Sequence, residues 1–168
     1  MMNRFCGSGF LNLSFLTEKS PHAAAMIKGG EKYPEINGIV RFYKTGYGAV
    51  VVSEIEGLPY LEGKCNNSVF AFHIHEGSEC SGNNDDPFAN SLTHYNPKGC
   101  VHPFHAGDMP PLFGNRGYAL SVFLTDRFSV REIIGKTVII HSGTDDFTSQ
   151  PSGNAGEKIA CGIIKSCI

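Results

Sequence analysis

The sequence predicts an all-β, turn-rich domain, and three observations carry that expectation. Twenty glycines and nine prolines punctuate 168 residues. Short runs with two-residue alternation recur between these turn signals, and few segments show the 3.6-residue period of a helix. The length suits one domain and leaves no room for a second of full size. An apolar fraction of 41% against 18% charged residues supplies a real core and argues against wholesale disorder.

Residues 1–21 read as a flexible leader outside the fold, and 22–168 as the domain. The leader holds Arg4 and the stretch Phe10 to Leu16, broken by Asn12 and Ser14, without a convincing small-residue cleavage site. Ile39 to Tyr43 alternates after the turn signal Asn37-Gly38. Ala49 to Ile55 places Val51, Ser53 and Ile55 on one face and Glu54 on the other. Phe70, Phe72 and Ile74 share a face, and Ala71, His73 and His75 share the opposite one, because strand side chains alternate. Tyr118 to Leu124, Val138 to His141 and Ala160 to Ile164 are further strands, and Ser129 to Ile134 is one helical turn or two. Two long loops remain, from Glu76 to about Leu112 and from Ser142 to about Ile159. Loops of this length are uncommon and usually functional or disordered. The ligand-type residues fall inside them, which favours function.

Fourteen Lys plus Arg against sixteen Asp plus Glu give a net charge of −2. No basic excess points to nucleic acid or anionic lipid, and no apolar run approaches the roughly 18–20 residues of a membrane span. The informative excess is histidine: six of the seven lie between His73 and His141. His73 and His75, two apart on a strand, point the same way and can meet one ion; a strand with two solvent-facing polar residues reads the same. His94, His102, His105 and Asp108 offer three imidazoles and a carboxylate, the donor set of a tetrahedral zinc site. Pro97, Gly99, Pro103 and Gly107 can turn the loop back on itself. His141 closes the set at a strand end. Six histidines and an aspartate exceed what one tetrahedral ion uses, whereas two neighbouring ions use them all if one His serves both. An imidazole-rich site favours copper, and a mixed N/O set suits zinc.

These stretches together resemble the copper/zinc superoxide dismutase family: Phe72-His73-Ile74-His75-Glu76, His94-Tyr95-Asn96-Pro97, His105-Ala106-Gly107-Asp108-Met109, Val138-Ile139-Ile140-His141, and Gly153-Asn154-Ala155-Gly156 running into Ala160-Cys161-Gly162. The motifs occur in the family's order over about residues 23 to 166. The short His102–His105 spacing, followed by Asp108-Met109-Pro110-Pro111-Leu112, is most similar to bacterial members. The resemblance implies a flattened Greek-key β-barrel or sandwich of about eight antiparallel strands with two functional loops. It implies copper on His73, His75, His94 and His141, zinc on His94, His102, His105 and Asp108, and a bridging role for His94. It implies that Asp145 ties a copper-ligand His to a zinc-ligand His, a role that suits the orientation of metal-bound imidazoles through their second nitrogen.

Cys80 and Cys161 match the family's disulfide. Cys65 and Cys100 match nothing: they pair with each other or stay apart, and Cys100 is an alternative zinc ligand. Cys6 and Cys167 are expected to be free. The family's Arg three residues before the second disulfide Cys is Lys158 here, preceded by Glu157. Lysine keeps the positive charge and loses the forked donor geometry, so the resemblance implies a weakened guiding role. Ser152 falls where the family has a small hydroxyl residue along the channel.

The implied activity is disproportionation of superoxide by Cu(II)/Cu(I) cycling, with Cu(2+) and Zn(2+) as cofactors, His94 and Lys158 as catalytic residues, and superoxide as the substrate. A homodimer is a possible assembly. Two rivals stand beside it. A non-catalytic copper/zinc-binding relative, for delivery or storage, usually lacks some copper ligands, and all four candidates are present. A zinc-only hydrolase needs an open zinc position, and four candidate ligands leave none. The missing cleavage site favours the cytoplasm, whereas export of the leader would place the chain outside it.

Overall fold

The computed structural model describes residues 20–63 and 68–167. The expected leader lies outside the described residues except for its last two positions, as do Cys6 and Cys65. Nine strands follow in order: β1 (Ala23–Gly29), β2 (Asn37–Thr45), β3 (Gly48–Glu56), β4 (Val69–Phe70), β5 (Phe72–His75), β6 (Leu112–Phe113), β7 (Ala119–Thr125), β8 (Thr137–His141) and β9 (Lys158–Ser166). One short helix, α1 (Val130–Ile133), and a 3-10 turn at Ala89–Ser91 complete the regular structure among the described residues. β4 and β5 are one strand interrupted at Ala71, whose N–H goes to the Gly143 carbonyl while its carbonyl takes the His141 N–H. With those two merged, nine strands become the expected eight.

Seven strands build a curled sheet in the order β5-β8-β9-β1-β2-β3-β7, and β4 pairs with β6. Each pair is antiparallel. The chain crosses from β3 at one side to β5 at the far edge, returns to β7 beside β3, and crosses again to β8. These three crossings make the Greek-key path; the first long segment lies on the return from β5 to β6, and the second joins the neighbouring strands β8 and β9.

Alternation explains which side chains fill the inside. Ala25 and Ile27 of β1, Val40 and Phe42 of β2, Val51 and Ile55 of β3, Phe72 and Ile74 of β5, and Val138 and Ile140 of β8 form one buried cluster. Truncating one of the larger members to alanine costs about 2–5 kcal/mol, through lost transfer energy and the cavity left behind. The helical stretch is a single turn, closed by the Glu132 carboxylate, which accepts the Ser129 N–H at 2.6 Å. His22, the histidine outside the cluster, works structurally: its Nδ1 accepts the Lys44 N–H at 3.2 Å.

β5 and β8 are buried on both faces. Their second face is covered by the two long segments 76–111 and 142–157. The metal-type residues lie there, outside the barrel wall and beneath the loops.

Candidate metal centre

His73 and His75 project from β5 on the side opposite Phe72 and Ile74, as strand alternation requires. His141 ends β8 on the same side. The loop residues are brought to β5 by backbone pairing. His94 forms an isolated bridge with His75, and Asp108 forms one with His73. The Ile74 N–H donates to the Gly107 carbonyl at 2.9 Å, and its carbonyl accepts the Tyr95 N–H at 2.8 Å. A Cβ on Gly107 would lie 2.2 Å from the Ile74 carbonyl oxygen, so only glycine lets the loop approach this closely.

A β-bulge positions one more side chain. Ile140 opposes Ala160, but His141 opposes Lys158, so Ile159 is the extra residue of the ladder. Directly opposed residues point to the same face. The bulge therefore turns Lys158 toward the face that holds His141, while Ile159 is fully buried.

Hydrogen bonds assign the ligand nitrogen of four rings, those of His73, His75, His102 and His141. Asp145 faces two rings, with Oδ2 2.8 Å from His73 Nε2 and Oδ1 2.9 Å from His102 Nε2. A carboxylate only accepts, so both rings carry the proton on Nε2 and present a bare Nδ1. His75 Nδ1 donates to the Leu92 carbonyl at 2.8 Å and His141 Nδ1 to the Gly156 carbonyl at 3.3 Å. Both therefore present a bare Nε2, and these two atoms stand 3.3 Å apart. Two lone pairs at that distance repel, and a shared cation removes the repulsion. On the other side, His94 Nδ1 lies 2.7 Å from Asp108 Oδ1 and 3.3 Å from His105 Nδ1. His102 Nδ1 lies 3.1 Å from Asp108 Oδ2.

Two sets of ligand atoms result, each within 4.8 Å of one another: His73, His75, His94 and His141, and His94, His102, His105 and Asp108. His94 belongs to both. All seven residues are buried, and His73 Nδ1, His94 Nε2 and His102 Nδ1 have no hydrogen-bond partner. An orphaned buried polar atom is costly. Three of them converging on neighbouring points fit a pair of cations held by these residues.

The electrostatics keep the site in ligand form. Burial lowers the His73, His75 and His141 pKa values, His141 to about 3, and the neighbouring rings lower them further. Burial works to raise the Asp145 carboxyl, but the His73 hydrogen bond, the Phe147 N–H and the His102 hydrogen bond outweigh it and hold it at about 2. Asp108 is lowered in the same way, burial being outweighed by His94 and the neighbouring histidines. Neutral imidazoles and ionised carboxylates are what a cation binds.

Two anchors have no signal in the sequence. Arg127, after β7, reaches the first loop: its Nη1 donates to the Pro103, His105 and Asp108 carbonyls at 2.8, 3.3 and 3.3 Å. Gln150 ties the two loops together, accepting the His102 N–H at 3.0 Å and donating to the His102 carbonyl at 2.7 Å.

Above the first set opens a cleft of about 510 Å³ whose walls include His75, His94, His141, Ser152 and Lys158. Lys158 and Ser152 thus both reach the site. The lysine ammonium, however, donates to Asp86 Oδ2 at 2.8 Å and to the Phe88 carbonyl at 3.1 Å. Asp86 carries no signal of its own in the sequence, where Asn83-Asn84-Asp85-Asp86-Pro87 is plain turn chemistry. Glu157, also on the cleft wall, is engaged by other partners, accepting from Tyr33 Oη at 2.7 Å and Lys32 Nζ at 3.4 Å. Cys80 and Cys161 form the expected disulfide. Cys100 and Cys167 are free thiols, and Cys100 is not part of either ligand set.

A Greek-key β-barrel that carries, on its outer wall, two adjoining His and His/Asp ligand sets sharing one imidazole is a two-metal β-barrel protein. The sequence model of the family described as copper/zinc superoxide dismutase (SODC) matches residues 36–164. The chain is 34% identical over 170 residues to superoxide dismutase (Cu-Zn) 2 of Aquifex aeolicus, covering 92% of each chain. It is 32% identical over 141 residues to the Cu-Zn superoxide dismutase of Legionella pneumophila, covering 79% of this chain and 80% of that one. The solved Cu/Zn superoxide dismutase from Brucella abortus superposes with a TM-score of 0.71 at 23% identity, over 84% of this chain and 98% of that chain, and shares the fold. The chain belongs to the copper/zinc superoxide dismutase family.

Proposed function

We propose that this chain disproportionates superoxide, converting two superoxide anions and two protons into O₂ and H₂O₂. The observation that carries the reading is His94, whose two ring nitrogens serve two ligand sets at once. The all-imidazole set of His73, His75, His94 and His141 suits copper, and the mixed set of His94, His102, His105 and Asp108 suits zinc. Copper, when bound, supplies one-electron chemistry between Cu(II) and Cu(I), whereas zinc is redox-inert and holds structure.

The chain's own residues do the rest. Asp145 fixes the His73 and His102 rings by their second nitrogens, and the Leu92 and Gly156 carbonyls fix His75 and His141. His94 Nε2 is the atom placed to hold a proton and hand it to the leaving peroxide. Its Nδ1 stays engaged on the zinc side. Lys158 is the one lysine or arginine among the described residues on the cleft wall, and its ammonium is paired with Asp86.

The test is metal analysis with a superoxide-consumption assay on one copper- and zinc-reconstituted sample. One copper and one zinc per chain with fast turnover is the expected result. Both metals bound with no turnover would move the chain to a metal-delivery or storage role. We further infer a homodimer, supported by the outward row of Leu120, Val122 and Leu124 on β7, which are 60%, 45% and 46% exposed. A monomer by sedimentation velocity ends that part of the reading.

A further inference from the structure

Lys158 is the only lysine or arginine among the described residues lining the cleft above His75, His94 and His141; Asp85, Asp86 and Glu157 line it too. Glu157 is offset by Lys32 at 3.4 Å. The Lys158 ammonium is taken by Asp86, and the side chain is only 14% exposed. Asp86 is itself held in place, because its Oδ1 accepts the Phe88 N–H at 3.0 Å while its Oδ2 faces Lys158. The carboxylate and the Phe88 carbonyl belong to one turn and together keep the ammonium on the wall. Asp85 then stands beside the pair with no ion-pair partner among the described residues.

We propose that Asp86 is a positioning residue that restrains Lys158 and acts as a brake on anion entry. The inference rests on the superoxide reading above and deepens it. A neutralised ammonium beside a further carboxylate takes from the rim the positive field that would draw an anion down toward the metal ions. Electrostatic steering changes encounter rates by about 10 to 10³-fold and is screened by salt. The sign of the salt dependence therefore reports which field the rim presents.

Asp86→Asn is the informative change. Asparagine keeps an oxygen for the Phe88 N–H, so the turn survives, and removes the charge from Lys158. In the wild-type protein, kcat/KM for superoxide is expected to be flat or to rise as ionic strength increases from about 0.01 to 0.3 M, a span over which the Debye length shrinks severalfold. In Asp86→Asn it is expected to be about threefold higher or more at low salt and to fall as salt is added. Asp86→Glu is expected to restore the wild-type slope.

Two readouts do not depend on turnover. Azide, a small anion titrated into the copper-loaded protein, is expected to bind severalfold more tightly in Asp86→Asn. In metal-free protein, acetic anhydride is expected to label Lys158 faster in Asp86→Asn, with Lys98 as the internal reference. A wild-type rate that falls with salt as steeply as the variant's, together with unchanged azide affinity and Lys158 labelling, overturns the proposal. Loaded wild-type protein without turnover overturns the superoxide reading, while the azide and labelling results still decide the role of Asp86.

Discussion

At the scale of single residues, four of the six imidazoles, those of His73, His75, His102 and His141, have the second nitrogen committed to a carboxylate or a carbonyl. His141 shows the consequence. Its Nδ1 donates to the Gly156 carbonyl, so its Nε2 is left to face His75. It belongs to the all-imidazole set alone. His141→Ala is therefore expected to abolish copper binding and turnover while zinc is retained, as read by metal analysis after dialysis. Equal loss of both metals would show that the two sets are not divided as assigned. Gly153 makes a second residue-scale case. It has φ of +69°, and a Cβ there would lie 2.0 Å from Asp145 Oδ1 and 2.6 Å from His102 Nε2. Gly153→Ala is expected to displace Asp145 and to weaken zinc binding by about 10–100-fold, the usual penalty for losing a partner behind a metal-bound imidazole. Competition with a chromogenic chelator measures it, and unchanged affinity would mean that the second loop absorbs the methyl group.

At the scale of elements, strands supply rigid placement and the two loops supply the missing ligands. β5 and β8 hold three of the four all-imidazole ligands, and the first loop brings His94, His102, His105 and Asp108. That loop is long, yet it is not free. Arg127 gathers three of its carbonyls with one guanidinium nitrogen. Hydrogen bonds from a charged donor contribute about 1.5–3 kcal/mol. Arg127→Ala is expected to lower zinc affinity about tenfold or more and to leave the all-imidazole set less affected, because the guanidinium hydrogen bonds all go to the loop that carries His102, His105 and Asp108. The bulge between β8 and β9 is the other element-scale device. One extra residue places Lys158 beside His141, where a regular ladder would place Ile159.

At the scale of the whole molecule, the Cys80–Cys161 disulfide and the buried histidines set the stability of the metal-free protein. The bridge spans 81 residues and pins the first loop to β9. On the chain-entropy account, closing such a loop stabilises the fold by about 4–5 kcal/mol. Cys80→Ser is expected to lower unfolding stability by up to that amount in denaturant titration of the apo protein. Acid acts separately. Burial holds the folded pKa values of His73, His75 and His141 below the ordinary 6.5, that of His141 at about 3. Above pH 6.5 these rings are neutral in both states, so their full contribution is present. As pH falls below 6.5 the unfolded chain takes up protons first, and stability declines toward the folded pKa values. Each such histidine steepens the loss by about 1.4 kcal/mol per pH unit. Asp145, lowered from 3.8 to about 2, adds loss in the same direction below pH 3.8. Denaturation of apo protein from pH 8 to 4 checks this, and a flat profile would mean that the rings protonate equally in both states.

Much of this molecule is legible in one dimension. Two-residue alternation marks β2, β3 and β5, since the pleat repeats every two residues whatever the topology, and β7, β8 and the middle of β9 stand out as short apolar runs between turn signals. β1 is less visible, because Ala-Ala-Ala-Met-Ile-Lys-Gly carries little β-forming preference and becomes a strand through its pairing with β2 and β9. The ligand types, their order and the two loops stand out because histidine is rare and turn chemistry is local. Long-range placement is not local. Which ring nitrogen His73, His75, His102 and His141 leave bare depends on carbonyls and a carboxylate 15 to 72 residues away. The grip of Arg127 on the first loop and the pairing of Lys158 with Asp86 arise only when the fold lays that loop over the barrel wall. One-dimensional pattern carries most of the strands, the candidate ligand types and the family resemblance. The tertiary structure decided the ligand atoms and the charge at the cleft mouth, because hydrogen bonds and Coulomb interactions act between groups that only folding brings within a few ångströms.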